Sequence, residues 1–132
     1  MASCDLLLSP HRAEGFGLAP AEAFLGGLPA LATGWSGNLD FMSGMDELLI
    51  ASHPVPVRDA SGVYRQADRT WAEPDIGDAV AKLRRLSQDA SLRARLAETG
   101  AARVRKLSES WSRERLLDAL GPWLDDKAAG RP

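Results

Sequence analysis

The stretch CDLLLSPHRAEGFGLAPAEAFLGGLPALATG, residues 4–34, carries the pattern that decides the fold. It opens on a short apolar run closed by a serine and a proline, which predicts a buried strand. Residues 19–27, APAEAFLGG, predict a short helix, because Pro20 in a first helical turn loses no hydrogen bond and two glycines end the helix. Residues 28–34, LPALATG, predict a second strand. Strand, helix and strand in this order form the unit from which parallel sheets are built.

The alternation continues downstream of this unit. Residues 35–46, WSGNLDFMSGMD, predict a loop with at most a short helix, and residues 47–52, ELLIAS, predict a third strand. From Val55 to Trp71 the pattern weakens, which leaves open an irregular excursion or a small hairpin around residues 60–62. The sequence therefore predicts an α/β fold: a partial Rossmann-like domain with a short parallel sheet of about three strands and helices on its faces.

The second half of the chain predicts a helical C-terminal region with three helices. Asp75 and Asp78 have the spacing of a capping box, and Asp89 is placed to cap the second helix. Gly100 weakens that helix by about 1 kcal/mol relative to alanine, unless it marks close packing. The expected apolar stripes are Ile76, Val80, Leu83 and Leu86 in the first helix, Leu92, Leu96, Val104 and Leu107 in the second, and Leu116, Leu120 and Trp123 in the third, which Pro122 bends or ends.

Size and composition fit one globular domain, with residues 1–125 as its folded part and residues 126–132 as a frayed tail. The chain has 16 basic and 18 acidic side chains and a formal net charge of -2, which gives no electrostatic drive toward nucleic acid or an anionic membrane. The single cysteine, Cys4, excludes an internal disulfide and argues against a structural zinc cluster, so a reducing, cytoplasmic location is expected. The apolar run that follows is too short for a signal peptide or a transmembrane segment.

A glycine-rich turn precedes the first predicted helix, which is expected to begin near Ala19. Such a turn exposes unpaired backbone N–H groups at the positive end of the helix dipole, and these groups make an anion site. A diphosphate is the anion that matches this geometry best. The turn consists of Gly15, Phe16, Gly17 and Leu18.

Two carboxylates flank the turn, Glu14 before it and Glu22 near the third position of the helix. A carboxylate accepts two hydroxyl hydrogen bonds at once, which suits the vicinal diols of a ribose or a hexose. Structural explanations stay open. An acid near a helix N-terminus stabilises the helix by about 0.3 to 1 kcal/mol whatever it binds, and Glu14 has the alternative of being a solvated loop acid.

The motif E-G-F-G-L-x-x-x-E over residues 14–22 resembles the signature of retaining glycosyltransferases with the GT-B fold, the group 1 or family 4 enzymes. That family includes sucrose synthases and many bacterial mannosyl- and glucosyltransferases. The flanking pieces SCDLLLSP, AFLGGLPALAT, SGNLDFM and WAEPDIGDAVAKLRRL agree with it, so the resemblance covers nearly the whole chain. The chain resembles the C-terminal, nucleotide-sugar-binding part of such an enzyme.

The resemblance implies roles for individual residues. Glu14 would contact hydroxyls of the transferred sugar as the catalytic residue, and Glu22 would contact the nucleotide ribose. The donor-binding residues of the turn and of the next loop would be Gly15, Phe16, Gly17, Leu18, Ser36, Gly37 and Asn38. For the second of these segments, ordinary turn chemistry is an equally good explanation. His11 would point toward the donor, with a solvent-facing loop histidine as the alternative.

Other residues are expected to serve structure. Trp71 is expected to pack and fix the next helix, although it lies close to a cluster of arginines. Those arginines, Arg58, Arg65 and Arg69, are expected to be solvated charges, with contact to an acceptor or to phosphates as the alternative.

The implied reaction is transfer of a hexose from a nucleoside-diphosphate sugar to an acceptor, as in polysaccharide biosynthesis, with the nucleotide sugar as donor and with neither a cofactor nor a metal ion. In the resembled family the acceptor attacks the face that the diphosphate leaves. We expect the acceptor-binding N-terminal domain and an upstream basic pair to lie outside this chain. The chain alone is then expected to be inactive, to depend on that domain or another chain, and to form homo-oligomers through an exposed sheet edge.

Two other functions stay open. A non-catalytic, truncated module would keep the fold, with or without nucleotide binding, and would act by association with another chain. Glycoside hydrolysis by Glu14 and Glu22 is the weaker alternative, because its two acids must face each other across a cleft, whereas these two bracket a phosphate-type turn.

Overall fold

The computed structural model describes residues 3–63, 69–112, 114–115 and 117–121. Along these residues the strands are β1 (Leu7–Ser9), β2 (Ala30–Thr33), β3 (Leu49–Ile50), β4 (Ser52–Pro56) and β5 (Thr70–Pro74). The helices are α1 (Leu18–Leu25), α2 (Leu39–Met42), α3 (Ile76–Gln88) and α4 (Ala90–Glu109). The predicted α/β fold with a helical C-terminal region is confirmed.

A parallel sheet of β1, β2 and β3, in that order, forms the centre of the fold. Leu8 pairs with Leu31, and Ala32 pairs with Leu49. All four residues of β2 are buried, because this strand lies between the other two and contacts both α1 and α3. In the described part of the chain, β1 is an edge strand of this sheet.

The stretch with the weak pattern forms an antiparallel hairpin of β4 and β5, in which Ser52 pairs with Pro74 and Pro56 pairs with Thr70. The hairpin alternative is therefore confirmed, and it is longer than the sequence suggested. Three prolines, Pro54, Pro56 and Pro74, weaken the strand pattern because proline cannot donate to a ladder. The hairpin joins the rest of the fold through the Ala72 N–H, which donates to the carbonyl of Arg12 at 2.9 Å.

Helix α4 packs across α1 at the position of Gly100. A Cβ atom at Gly100 would overlap the ring of Phe24, which is completely buried. Gly100 thus marks close packing, as the sequence left open. The predicted stripe of α4 is also confirmed, since Leu92, Leu96 and Val104 are buried in the core.

Aspartates cap both long helices as predicted. The Asp75 side chain accepts a hydrogen bond from the Asp78 N–H at 2.9 Å, and the Asp89 side chain accepts one from the Leu92 N–H at 2.8 Å. These contacts fix the starts of α3 and α4.

The predicted apolar stripe of α3 is wrong in its first turns, where Ile76 is 64% exposed and Val80 is 39% exposed. Polar groups face the sheet there instead. Asp78 accepts a hydrogen bond from the Ala51 N–H at 2.7 Å, and Lys82 donates one to the Leu49 carbonyl at 2.6 Å. These two bonds set the rotation of the helix, so its apolar contact with the core begins at Ala79, Leu83 and Leu86.

Several predicted features lie outside the described residues. They are Arg65, Leu116, Pro122, Trp123 and the tail over residues 126–132. Of the third predicted helix, residues 117–121 are helical, and Leu120 is exposed.

Candidate functional site

Two loops meet at the carboxyl edge of the parallel sheet. The first, residues 10–17, connects β1 to α1, and the second, residues 34–38, connects β2 to α2. Open α/β sheets bind ligands at this edge, so the fold places the glycine-rich turn where a ligand is expected.

Gly17 is the residue on which the turn depends. It has φ +92° and ψ 47°, in the left-handed region that glycine adopts without steric cost, and it caps α1 without any side-chain hydrogen bond. A Cβ at this position would also lie 2.9 Å from the Cβ of Asn38. Gly17 is therefore required both by its backbone conformation and by its neighbour.

The turn leaves a row of backbone N–H groups without acceptors. Within the described part of the chain, nothing accepts a hydrogen bond from the N–H groups of Phe16, Gly17, Leu18 and Ala19. Pro20 has no N–H, and the first bond of the helix runs from the Ala21 N–H to the Gly17 carbonyl at 3.0 Å. Free amides at the positive end of a helix dipole attract an anion. This arrangement matches the one predicted from the sequence, and α1 begins one residue earlier than expected.

The second loop packs against the backbone of the first. The Gly37 N–H donates to the Glu14 carbonyl at 3.2 Å, and a Cβ at Gly37 would overlap the carbonyl oxygen of Gly15. The two glycine-containing loops are thus in direct backbone contact. Because Gly37 has no side chain, the backbones of the two loops approach each other closely.

The side chain of Asn38 is completely buried beneath these loops. Its Nδ2 donates to the Thr33 carbonyl at 3.0 Å, whereas its Oδ1 has no partner among the described residues. Asn38 therefore positions the second loop against the end of β2. The neighbouring Ser36 is exposed and has φ +77°, which is uncommon for a residue other than glycine. Such strain is often found at functional sites.

The two acids have different surroundings. Glu14 is half-buried, and its Oε1 accepts a hydrogen bond from the Gly15 N–H at 3.0 Å. Glu22 is exposed and has no hydrogen-bond or ion-pair partner in the part of the chain that the structure describes. It is the fifth residue of α1, whose first turn holds no acid. The dipole effect fades beyond that turn, so a purely helix-stabilising role explains Glu22 less well than the sequence allowed.

Side chains on a helix lean toward its N-terminus, and residues four apart lie on one face. Glu22 is four residues after Leu18, and both are exposed. Glu22 therefore lies on the same face of α1 as Leu18, one helical turn after the free amides. Glu14 lies at the opposite end of the same turn.

His11 ties the two loops together. Its Nε2 donates to the carbonyl of Trp35 at 3.0 Å, and its Nδ1 lies 3.4 Å from the Ser9 hydroxyl. The ring is half-buried. No pattern in the sequence predicts that Trp35 lies next to His11.

Phe16 anchors the turn by aromatic contacts. Its ring centroid lies 5.3 Å from that of Phe41 and 4.9 Å from that of Trp111. Trp111 follows the end of α4 and is far from the turn in sequence, so sequence reasoning missed it. Phe41 is itself buried, as is the neighbouring Met42.

Arg12, just before Glu14, is held by the hairpin. Its guanidinium pairs with Glu73 at 2.7 Å and lies 5.3 Å from the ring centroid of Trp71. Sequence reasoning placed no function on Glu73. The Arg12 side chain still has donor capacity, because a guanidinium carries five N–H groups and half of this side chain is exposed.

The described residues contain no group of three or more histidine, cysteine, aspartate or glutamate side chains that would hold a metal ion. Among those residues, no helix combines the length and the apolar character needed to cross a bilayer.

Comparison with known proteins adds a family. A family model described as family 4 glycosyltransferase in conflict systems matches residues 1–107. Neither a search of curated proteins nor a search of solved structures found a match. The matched residues include both loops, both acids and almost all of α4, and they are most of the 132-residue chain. The chain therefore belongs to the family 4 glycosyltransferases of conflict systems.

Proposed function

We propose that this chain binds a nucleoside-diphosphate sugar at the glycine turn and forms the donor-binding portion of a retaining hexosyltransferase. One observation carries the proposal: four neighbouring N–H groups, Phe16 to Ala19, have no acceptor among the residues that the structure describes and lie at the start of a helix, with Glu14 before them and Glu22 after them in the chain. Membership of a glycosyltransferase family supports it.

The amides supply the site for the diphosphate. These N–H groups lie at the positive end of α1. Their positions are fixed by Gly17 and by the contact between the two loops. Fixed dipoles stabilise developing negative charge without reorganisation, which is the main way a site of this kind lowers a barrier.

Each of the two acids binds a different part of the donor. Glu22 binds the hydroxyls of the ribose, because it lies one turn above the amides and its carboxylate has no protein partner among the described residues. Glu14 binds hydroxyls of the transferred hexose. Its bond to the Gly15 N–H keeps the carboxylate folded against the turn, and one carboxylate oxygen stays available for the sugar.

The chemistry needs no nucleophile from the protein. The bond between the anomeric carbon and the diphosphate oxygen breaks, and the acceptor oxygen bonds to the same face of that carbon. The acceptor proton passes to the departing diphosphate. The chain contributes positioning and charge stabilisation.

The alternative function, glycoside hydrolysis, is less well supported by the geometry. Glu14 is bonded to the turn itself, and the free amides that suit a diphosphate lie between Glu14 and Glu22. A non-catalytic module that keeps only nucleotide binding shares the donor site and differs in turnover. Nucleotide binding tests the site common to both, and sugar transfer in the presence of an acceptor and of the acceptor-binding domain separates them.

Titration calorimetry with UDP, GDP and ADP, and then with the matching nucleotide sugars, tests the proposal. We expect at least one diphosphate to bind, Glu22→Gln to weaken both ligands, and Glu14→Gln to weaken only the nucleotide sugar. Glu98→Gln is the matched control, since Glu98 is an exposed acid on α4. No binding of any diphosphate, or equal losses in the control variant, would contradict the donor site.

A further inference from the structure

His11 makes a hydrogen bond between the two loops of the candidate site, and the donor proposal gives this bond no function. The His11 Nε2 lies 3.0 Å from the carbonyl oxygen of Trp35, and the Nδ1 lies 3.4 Å from the Ser9 hydroxyl. A carbonyl oxygen only accepts hydrogen bonds, so Nε2 carries a proton and donates it. Both ring nitrogens therefore face groups of the protein, which favours a role in positioning over direct contact with the donor.

We propose that His11 is a positioning residue of the donor site, which holds the loop of residues 34–38 in the conformation that binds the transferred sugar. The proposal rests on the donor function above, because this loop contacts the backbone of Glu14. Within the described residues, His11 supplies the only side-chain hydrogen bond between the two loops. The backbone bond between them runs from the Gly37 N–H to the Glu14 carbonyl.

The bond from His11 holds an unusual backbone conformation. The Trp35 carbonyl belongs to the peptide unit that precedes Ser36, and Ser36 has φ +77°. A left-handed conformation is sterically unfavourable for a residue with a Cβ, so neighbouring contacts have to maintain it. A hydrogen bond to the Trp35 carbonyl fixes the plane of that peptide unit and thereby restricts the rotation of Ser36. Without this bond, we expect Ser36 to relax toward negative φ.

The conformation of Ser36 affects the acid assigned to the hexose. Gly37 follows Ser36, and its N–H donates to the Glu14 carbonyl at 3.2 Å. A rotation at Ser36 changes the direction of the Gly37 N–H, because the two residues share one peptide unit. The bond to Glu14 then lengthens or breaks. Loss of the bond from His11 should therefore disturb the part of the site that binds the sugar.

The part of the site assigned to the diphosphate depends less on His11. The free amides of residues 16–19 lie at the start of α1, where the first helical bond runs from the Ala21 N–H to the Gly17 carbonyl at 3.0 Å. This bond involves neither His11 nor the second loop. Binding of a nucleotide sugar should therefore depend on His11 more strongly than binding of the corresponding nucleoside diphosphate.

Calorimetry and amide hydrogen exchange of His11→Phe and His11→Gln test the proposal, with UDP-glucose, GDP-mannose and ADP-glucose as probes. Phenylalanine keeps an aromatic ring without a donor, whereas glutamine keeps an N–H donor. His11→Phe should speed exchange of the Gly37 N–H in the free chain. It should also weaken nucleotide-sugar binding by at least about fivefold, as expected for one net hydrogen bond, and weaken UDP, GDP or ADP less. His11→Gln should retain both properties. His53→Phe, at an exposed histidine of β4, is the control.

Ser36→Gly provides a second test, because glycine adopts φ +77° without steric cost. In the Ser36→Gly background, His11→Phe should weaken nucleotide-sugar binding less than it does in the parent chain. The same loss in both backgrounds would show that His11 does not act through the conformation of Ser36, and it would overturn the proposal.

The proposal is also overturned by unchanged Gly37 exchange in His11→Phe, by equal nucleotide-sugar affinities of His11→Phe and the parent chain, or by equal losses in His11→Phe and His11→Gln. His11→Ala, which also lacks a donor, replaces His11→Phe if the larger ring prevents folding. The exchange measurement uses the free chain, so the two proposals can fail separately. A parent chain that binds no nucleotide contradicts the donor site, whereas unchanged Gly37 exchange contradicts the role of His11.

Discussion

The N–H of Gly37 donates a hydrogen bond to the carbonyl of Glu14 at 3.2 Å, and this bond joins the loops that follow two neighbouring strands. Behind it, the Cα of Gly37 lies so close to the Gly15 carbonyl that no Cβ fits. The shape of the anion site is thus set by a backbone contact between loops, with Gly17 providing the final left-handed turn into α1.

Gly37→Ala should displace the turn. The added methyl overlaps the Gly15 carbonyl, and we expect a loss of about 1 to 3 kcal/mol in the free energy of unfolding, as for other overpacked sites. Denaturant unfolding measures this loss. Gly15→Ala is the control, since a Cβ there meets no atom within 4 Å. Equal stability of the two variants would show that the close contact between the loops has no energetic weight.

Gly100→Ala should destabilise the fold although alanine is the better helix former. The gain in helix propensity is about 1 kcal/mol, whereas overlap with the buried ring of Phe24 is expected to cost about 1 to 3 kcal/mol. The double variant Gly100→Ala with Phe24→Leu should lose less than the sum of the two single losses. Strict additivity in the unfolding experiment would mean that the two positions do not compete for space.

Trp111→Ala should loosen the turn more than it destabilises the whole chain. The ring of Trp111 lies on Phe16, and an aromatic pair contributes about 0.5 to 1.5 kcal/mol beyond its buried area. We expect faster amide hydrogen exchange at residues 15–18 and weaker diphosphate binding. Trp111→Phe should restore both. Unchanged exchange in the alanine variant would assign Trp111 no role in holding the turn.

Asp78 should make stability depend on pH. The Ala51 N–H bond, followed by the hydrogen bond and charge of Lys82, lowers the pKa of Asp78 below its ordinary value of 3.8. Because the folded pKa lies below the unfolded one, the stabilisation is fully present above pH 3.8 and is lost as pH falls through the folded pKa.

Asp78→Asn should therefore be less stable than the parent near neutral pH, and the difference should shrink as the solution is acidified below pH 3.8. Urea unfolding over this range measures it. Asp46→Asn, at an exposed acid outside these contacts, serves as the control. A difference that stays constant with pH would contradict the linkage.

The sequence predicts the elements whose signals are local. Pro20 and the glycines after Leu25 mark the ends of α1, and Asp75 and Asp89 mark the starts of α3 and α4, because caps and breakers act on adjacent backbone groups. The parallel order of the first three strands follows from the same signals.

What the sequence misses depends on contacts between distant residues. The pairing of Arg12 with Glu73 and the tilted ring contact of Phe16 with Trp111 join segments that no local pattern connects. The stripe of α3 is misjudged for the same reason, since Asp78 turns that helix by bonding to the Ala51 N–H. The candidate acids and glycines were found from one motif, whereas the ion pair of Arg12 with Glu73 depends on the hairpin.

The central claim is that the free amides at the start of α1 bind a diphosphate. Titration of the labelled chain with UDP, GDP and ADP, followed by the amide signals of Phe16, Gly17, Leu18 and Ala19, tests it most directly. The account predicts saturable shifts at these four amides with one or more of the nucleotides, and a weaker response in Glu22→Gln. Shifts confined to other parts of the chain, or none at these amides, would contradict it.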